Sequence, residues 1–308
     1  MKNIAFVNGV ERKCGIFYYG TSVFEILQNS TEYKFHFIEA INKEDFFYKT
    51  QNMDAIIYNW HPQPMPWCNK DVFLQVRKPQ FLILGHTSNE QVIQFPNITS
   101  FITIDPDHKP SDSYLPGVRP IKTYDDCVYT PQSGVYKIGT SGTGDASKNI
   151  NIMLSIINEQ FTEPVEFNIH LSEGAFNSAK EDVLNESLSY LRQFANPNVK
   201  INFIVKHLSN YELVKFLNQN DLNIFIYPSY DSMGVSASID KALAARKPIG
   251  VNNSNFFKHI ISDDINLEKV PLKKIIANGT QPLQKFYDRW NPNTLIHQYE
   301  ELLKKHNV

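Results

Sequence analysis

The chain has 308 residues, a formal net charge of −2 and hydrophobic residues at 42% of its positions. This length suits two domains, and the balanced charge does not favour nucleic acid or an anionic membrane as the main partner. The three cysteines, Cys14, Cys68 and Cys127, lack metal-ligand spacing, so we expect neither a disulfide framework nor a structural zinc site. The start "MKNIAFVNGV" has no signal-peptide pattern and no segment reaches 18 consecutive apolar residues, so we expect a cytoplasmic protein without a membrane span.

Short apolar strands alternate with amphipathic helical segments in the first part of the chain. We predict strands at 2–7, 33–40, 54–60, 79–86 and 100–105, and helices near 21–29 and over "KEDFFYKTQN". The segment "CGIFYYG" (14–20) is predicted to be a loop before the first helix. Strands that alternate with helices indicate βαβ units and a parallel sheet.

A stretch at 108–133 rich in Pro, Asp and Ser is typical of an inter-domain connection, and a second alternating series follows it. We predict strands at 134–142, 165–171, 199–205, 222–228 and 248–251, helices at 147–160, 176–195, 209–219 and 237–246, and a C-terminal helix. The predicted fold is α/β, with two Rossmann-like domains facing each other across a cleft. The domains would be 1–125 and 126–308, and the last helix can cross back to the first domain.

The segment "GTSGTGDASKN" (139–149) is predicted to be a loop between a strand and a helix, and it has the composition of a phosphate-binding loop. Its small residues include Gly139, Thr140, Ser141, Gly142, Thr143 and Gly144. The glycines would let the backbone approach a ligand, and the hydroxyls would donate hydrogen bonds. Lys148 lies in the first helical turn, where backbone N–H groups favour an anion. The alternative is a Gly/Ser turn in which Ser147 is only the N-cap.

The segment "YPSYDSMGVSASIDKALAARKPIGVNNS" also passes from a strand to a helix. The candidate residues between the two elements are Tyr230, Asp231, Ser232, Met233, Gly234, Val235, Ser236 and Ser238. Gly234 permits an unusual backbone angle, and Ser236 can cap the helix whose N-terminus would face phosphate or sugar hydroxyls. In the alternative, Ser236 is only a cap and Ser238 only a small packing residue.

Polar and aromatic residues also follow strands in the first half of the chain. His86 ends "LILGH", and "NWHPQPMPW" places Asn59 and His61 just past another strand. A histidine there can orient a hydroxyl or stabilise developing charge, although a single histidine is more often structural. Gly15 and Tyr19 lie in the first strand-to-helix connection, where the tyrosine would line a sugar pocket or pack in the core.

Together these segments resemble GT-B-fold retaining glycosyltransferases, especially glycosyltransferase family 4 (glycosyl transferases group 1). The resemblance is carried by "CGIFYYG", "LILGHTS", "YKIGTSGTGDASKN", "YPSYDSMGVSASIDKALAARKPIGVNNS" and "RWNPNTLIHQYEELL". These places span nearly the whole chain, each motif is loose, and "ALAARKP" is the closest match.

The resemblance implies transfer of a sugar from a nucleotide diphosphate sugar to an acceptor hydroxyl with retained anomeric configuration. It implies no cofactor and no metal; the partners would be the nucleotide sugar and a glycan, lipid-linked or other hydroxyl acceptor. Residues 1–125 would form the acceptor side and 126–308 the donor side. The implied site residues are His86 and Asp231 for catalysis, Thr140, Ser141, Gly142, Lys148, Tyr230, Met233, Gly234, Val235, Ser236 and Ser238 for the donor, and Gly15, Tyr19, Asn59 and His61 for the acceptor.

The chain departs from the family pattern at charged positions of the donor side. Gly142 stands where the family has an arginine. Of the family's two glutamates, the second falls at Lys241 and the first near Met233, where Asp231 is the nearest carboxylate. Two other functions therefore stay open: a non-catalytic nucleotide-sugar or glycan-binding protein on the same fold, and a sugar-nucleotide epimerase.

Overall fold

The computed structural model describes residues 1–85, 95, 97–107, 109–111, 114–127, 134–174, 179–229 and 234–308. It divides into two compact units. The first consists of Met1–Lys122 and Arg289–Val308 with a short segment ending at Gly234, and the second of Thr123–Asp231 and Val235–Asp288. Among the described residues, no helix combines the length and the apolar character needed to cross a membrane.

The first unit contains a parallel sheet in the order β2-β1-β3-β4-β5-β6. Its strands are β1 (Lys2–Asn8), β2 (Tyr33–Glu39), β3 (Ala55–Trp60), β4 (Gln80–Leu84), β5 (Ser100–Thr103) and β6 (Tyr114–Pro116). Its first three described helices are α1 (Gly15–Leu27), α2 (Lys43–Thr50) and α3 (Lys70–Gln75). Every residue of β3 and β4 is buried, as expected for central parallel strands covered on both faces.

The second unit contains a parallel sheet in the order β11-β10-β7-β8-β9. Its strands are β7 (Tyr136–Thr143), β8 (Val165–Ser172), β9 (Val199–Val205), β10 (Leu222–Phe225) and β11 (Ile249–Val251). The helices are α4 (Ile150–Gln160), α5 (Glu181–Leu191), α6 (Asn210–Asn218), α7 (Ser238–Ala244), α8 (Leu272–Asn278) and α9 (Gln284–Arg289), followed by α10 (Pro292–Lys305). The predicted α/β class with two Rossmann-like parallel sheets is confirmed.

The first helix begins earlier than the sequence predicts. The segment "CGIFYYG" is the start of α1 rather than a loop, and the Tyr18 amide donates to the carbonyl of Cys14. Gly20 lies inside this helix. The position needs a glycine because a Cβ there would meet the buried amides of Asn59 and Asn8. A glycine that usually weakens a helix is here required by close packing, which local propensity does not reveal.

Part of the predicted connection at 108–133 is a strand. Tyr114–Pro116 forms β6, which pairs in parallel with β5, and the Tyr114 ring stacks on Phe101 at 5.3 Å. The predicted inter-domain connection therefore contributes an edge strand to the first sheet.

The C-terminal helix α10 packs on α1 within the first unit. Gln298 donates to the Pro116 carbonyl at 2.5 Å and accepts from the Val118 amide at 2.9 Å. Ser30 donates to the Glu300 carboxylate at 2.6 Å. These contacts join the two ends of the chain in one unit.

Arg246, in the segment "ALAARKP", allows a test of how one side chain of this segment contributes to stability. It follows α7 in the left-handed region (φ 54°), and its guanidinium lies 3.8 Å from the Tyr287 ring centroid. Arg246→Ala should cost about 1 kcal/mol through loss of the cation–π contact. Arg246→Gly should recover about 1 kcal/mol of this loss, because glycine adopts positive φ without strain. Urea unfolding checks the order; an alanine variant as stable as the wild type would show that the ring contact contributes nothing.

Candidate functional site

The strand order of the second sheet reverses between β7 and β10, because β7 is followed by β8 on one side and β10 by β11 on the other. In open parallel sheets, ligands bind beyond the carboxyl ends of the strands at such a switch point. The segments that leave these two ends are 144–149 and 226–229. The Asn149 side-chain amide joins them by donating to the Ile226 carbonyl at 3.2 Å. We take this region of the second unit as the candidate site.

Lys148 is the cation of this site. Its Nζ lies 3.3 Å from Asp145 Oδ2, 3.2 Å from Ser147 Oγ and 4.3 Å from the centroid of the Tyr227 ring. Its side chain is 15% exposed. The aliphatic stem passes over Gly142, where an added Cβ would lie 2.9 Å from Lys148 Cε. Gly142 therefore provides the space in which the lysine side chain lies.

Asp145 gathers the donors of the same loop. One carboxylate oxygen accepts from the Ser147 amide at 2.9 Å and from the Ser147 hydroxyl, and the other accepts from Thr143 Oγ1 at 2.8 Å. Burial raises the pKa of Asp145, but the hydrogen bonds from Ser147 and Thr143 and the charge of Lys148 outweigh it, so the pKa lies below its ordinary value. Asp145 is therefore a carboxylate at neutral pH.

The other glycines of this segment have a packing role that the sequence interpretation did not include, and their approach to a ligand stays a prediction. A Cβ on Gly139 would overlap the Asn220 amide and lie 2.6 Å from Asn223 Oδ1. A Cβ on Gly144 would overlap the Leu184 side chain of α5. Both glycines make room for side chains of the protein.

Thr140 and Ser141 belong to β7 rather than to a loop, so their side chains point to opposite faces of the sheet. Both are buried. Ser141 Oγ lies 3.0 Å from His170 Nδ1, and His170 Nε2 lies 3.0 Å from the Lys206 carbonyl. Because a carbonyl only accepts, Nε2 carries the proton and Nδ1 accepts from Ser141. Burial lowers the pKa of His170, which favours this neutral form; the sequence interpretation missed this histidine.

Tyr227 is a second residue that the sequence interpretation missed. The residue is 4% exposed, and its ring packs against Phe256 and Phe257. The Asn252 side chain accepts from its backbone N–H (3.0 Å) and donates to its carbonyl (2.9 Å). Its buried hydroxyl has no hydrogen-bond partner in the part of the chain that the structure describes. Tyr227 thus fixes one wall of the site, beside the Lys148 ammonium. The only sequence signal is the Tyr-Pro pair that ends the strand-like run.

The segment before α7 differs from the sequence interpretation at its cap. The N-cap residue is Ala237, without a side-chain capping bond, so Ser236 is not the cap. Ser236 is buried, and its amide donates to the Phe256 carbonyl at 3.0 Å. Val235 is buried, and Ser238 is the first helical residue.

The other donor-side residues that the resemblance implies differ in burial, and some lie outside the described residues. Gly234 is half-buried, and Lys241 is a buried residue of α7 with 8% exposure. Tyr230, Asp231 and Met233 lie outside the described residues, so their predicted roles stay predictions.

In the first unit, Asn59 is a buried structural amide. Its Nδ2 donates to Asn8 Oδ1 at 2.6 Å and to the Ile16 carbonyl at 2.7 Å, while Asn8 donates to the Phe17 carbonyl at 3.2 Å. Gly20 allows α1 to approach these two amides. The observed role of Asn59 is to hold α1 against β1 and β3, and its contact with an acceptor stays a prediction.

The remaining candidates of the first unit lie in different environments. Tyr19 is buried, with the Arg119 guanidinium 5.2 Å from its ring centroid. Gly15 is exposed and open around its Cα, and the His61 Nδ1 accepts from the Gln63 amide at 3.3 Å. His86 lies outside the described residues. The described part of the chain has no group of three His, Cys, Asp or Glu side chains that could hold a metal ion.

No protein-family model matches the chain, and no curated protein matches it either. Solved structures do. HepE (Alr3699) of Anabaena, in complex with UDP and glucose, matches with a TM-score of 0.67 and 12% identity over 99% of this chain and 100% of that chain. A glycosyltransferase of Rickettsia africae gives a TM-score of 0.63, 10% identity and 99% and 98% coverage. The lipopolysaccharide outer core galactosyltransferase WaaB matches with a TM-score of 0.62 and 10% identity over 99% of each chain.

These whole-length likenesses define the fold. The predicted GT-B type, with two Rossmann-like α/β domains, is confirmed by the two parallel sheets and by the match to glycosyltransferase structures along the entire chain. At 10–12% identity the likeness is one of fold, and the chemistry has to be argued from the site.

Proposed function

We propose that this protein is a glycosyltransferase that transfers a sugar from a nucleotide diphosphate sugar to an acceptor hydroxyl, with UDP as the first nucleotide to test. The observation that carries the proposal is the position of Lys148, at the switch point of the second sheet and beside the buried Tyr227 ring. The matched HepE structure contains UDP, which supports this choice of nucleotide.

In the proposed reaction, Lys148 faces the diphosphate. Negative charge grows on the leaving phosphate oxygen as the sugar bond breaks, and an ammonium held in a partly buried site stabilises that charge. The stem of Lys148 lies over Gly142 and its ammonium lies beside the Tyr227 ring, so the cation is already positioned at the switch point. We further propose retention of anomeric configuration, independence of metal, a cytoplasmic location, and roles for His86 and Asp231 at the reacting sugar.

The test is a panel of UDP-, GDP- and TDP-sugars, in which thermal stabilisation reports binding and release of free nucleotide reports turnover. We expect a UDP-sugar to raise the melting temperature and to release UDP faster when a suitable acceptor is present. The configuration of the product, read by NMR, checks retention. A protein that none of these nucleotides stabilises would contradict the proposal.

One observation favours a second function, non-catalytic binding of a nucleotide sugar. Lys241, at a position where the resembling family has a glutamate, is a buried residue of α7. An ammonium stands there in place of that family's carboxylate. In that case the same panel would show stabilisation by a nucleotide sugar but no release of nucleotide with any acceptor.

A further inference from the structure

Four donor groups converge on the Asp145 carboxylate. They are the Ser147 amide (2.9 Å), the Ser147 hydroxyl, the Thr143 hydroxyl (2.8 Å) and the Lys148 ammonium (3.3 Å). Two hydroxyls, a backbone N–H and a cation are the groups that bind a phosphate in proteins. The loop after β7 is therefore an anion site, and the anion in it belongs to the chain itself.

The position of Asp145 has an electrostatic consequence for any ligand of Lys148. The carboxylate is ionised at neutral pH, since the pKa of Asp145 lies below its ordinary value through the hydrogen bonds and charge that outweigh its burial. A diphosphate bound to Lys148 would lie close to this carboxylate. Two negative charges that share one cation in a partly buried site repel each other strongly. Full contact between Lys148 and a phosphate thus requires the ion pair to loosen.

Tyr227 gives Lys148 a second support that does not depend on Asp145. The ammonium lies 4.3 Å from the ring centroid; the Asn252 side chain holds the Tyr227 backbone, and Phe257 packs against the ring. A cation over an aromatic face keeps N–H groups available for an anion on its other side. The ammonium can therefore exchange one anion for another while remaining over the ring.

We propose that Asp145 competes with the diphosphate of the nucleotide for Lys148 and Ser147, and thereby sets how tightly the nucleotide is held and how readily it is released. This inference rests on the proposed function and adds a residue that lowers affinity. When the nucleotide enters, its phosphate replaces the carboxylate at the ammonium; when it leaves, the ion pair forms again. Asp145 would thus promote release of the nucleotide product.

Asp145→Asn is the informative variant. It keeps an oxygen that accepts from the Ser147 amide, so the turn is retained, and it removes the negative charge beside Lys148. We expect UDP to bind at least about threefold more tightly, measured by isothermal titration calorimetry. Asp263→Asn is the matched control, because Asp263 is exposed, pairs with Lys269 at 2.8 Å and changes net charge equally; its affinity for UDP should equal that of the wild type.

A double-mutant cycle ties the effect to Lys148. In the Lys148→Met background, Asp145→Asn should change UDP affinity by less than about 1.5-fold, since the shared partner is gone. If Asp145→Asn weakens binding as Lys148→Ala does, or leaves it unchanged, while the wild type binds UDP, the inference is overturned and the proposed function stands. If neither the wild type nor any variant binds UDP, GDP or TDP, the proposed function fails and the inference falls with it.

Discussion

Lys148→Ala is expected to weaken UDP binding roughly ten- to hundredfold, because a hydrogen bond to a charged group contributes about 1.5–3 kcal/mol. The expectation follows from geometry: the ammonium is the cation at the switch point, confined between the Asp145 carboxylate and the Tyr227 ring. Turnover should fall further than binding, because charge on the leaving phosphate is greatest in the transition state. Calorimetry with UDP and single-turnover release of UDP from the sugar measure the two effects.

Two further substitutions separate charge from packing at this position. Lys148→Met keeps an apolar stem over Gly142 and should lose as much affinity as alanine. Lys148→Arg keeps the charge but requires more space, so it should retain part of the affinity. Lys269→Met, an exposed lysine of the same unit, is the matched control and should bind UDP as the wild type does. Wild-type affinity in Lys148→Ala would remove this lysine from the site.

The fold could be predicted from the sequence because its main signal is local. Apolar runs such as 54–60 and 80–84 alternate with helical segments, and that alternation alone specifies parallel sheets. The start of α1 could not be predicted in the same way. Position 20 needs a glycine because a Cβ there would overlap Asn8 and Asn59, which lie elsewhere in the sequence.

The candidate site was predictable in its location but not in its internal contacts. Lys148 was found because a cation in a Gly-rich strand-to-helix connection is a local pattern. Asp145 was overlooked because a carboxylate in a polar turn has no distinguishing neighbours in sequence. Tyr227 and His170 were missed for another reason: their partners, Lys148 and Ser141, are far away in sequence and meet them only through strand order.

Gly139 illustrates the same limit and leads to the largest expected effect on stability. In sequence it is one of several glycines in a presumed ligand loop, whereas in the structure it faces Asn220 and Asn223, both fully buried. The Asn220 amide donates to Asn223 Oδ1 at 2.9 Å and its oxygen accepts from Asn168 at 2.8 Å. A side chain at 139 would displace this pair of amides.

Gly139→Ala is therefore expected to lower the free energy of unfolding of the second unit by about 2–6 kcal/mol. Overpacking a core costs about 1–3 kcal/mol, and a buried amide that loses its partner costs about 1–3 kcal/mol more. Urea unfolding gives the total, and hydrogen exchange of the β7 amides assigns the loss to this unit. Gly15→Ala is the matched control: an added Cβ there meets nothing within 4 Å, so stability should stay within about 1 kcal/mol of wild type.

The physical cause of that loss can be isolated with a second substitution. Asn220→Ser shortens the side chain that a Cβ at 139 would meet, so Gly139→Ala should cost clearly less in this background than in the wild type. Equal costs in both backgrounds would place the strain elsewhere in β7, and a Gly139→Ala protein as stable as the wild type would show that the sheet relaxes around the methyl group. Because the backbone of β7 leads directly into the loop of Asp145 and Lys148, we also expect weaker UDP binding whenever β7 is strained.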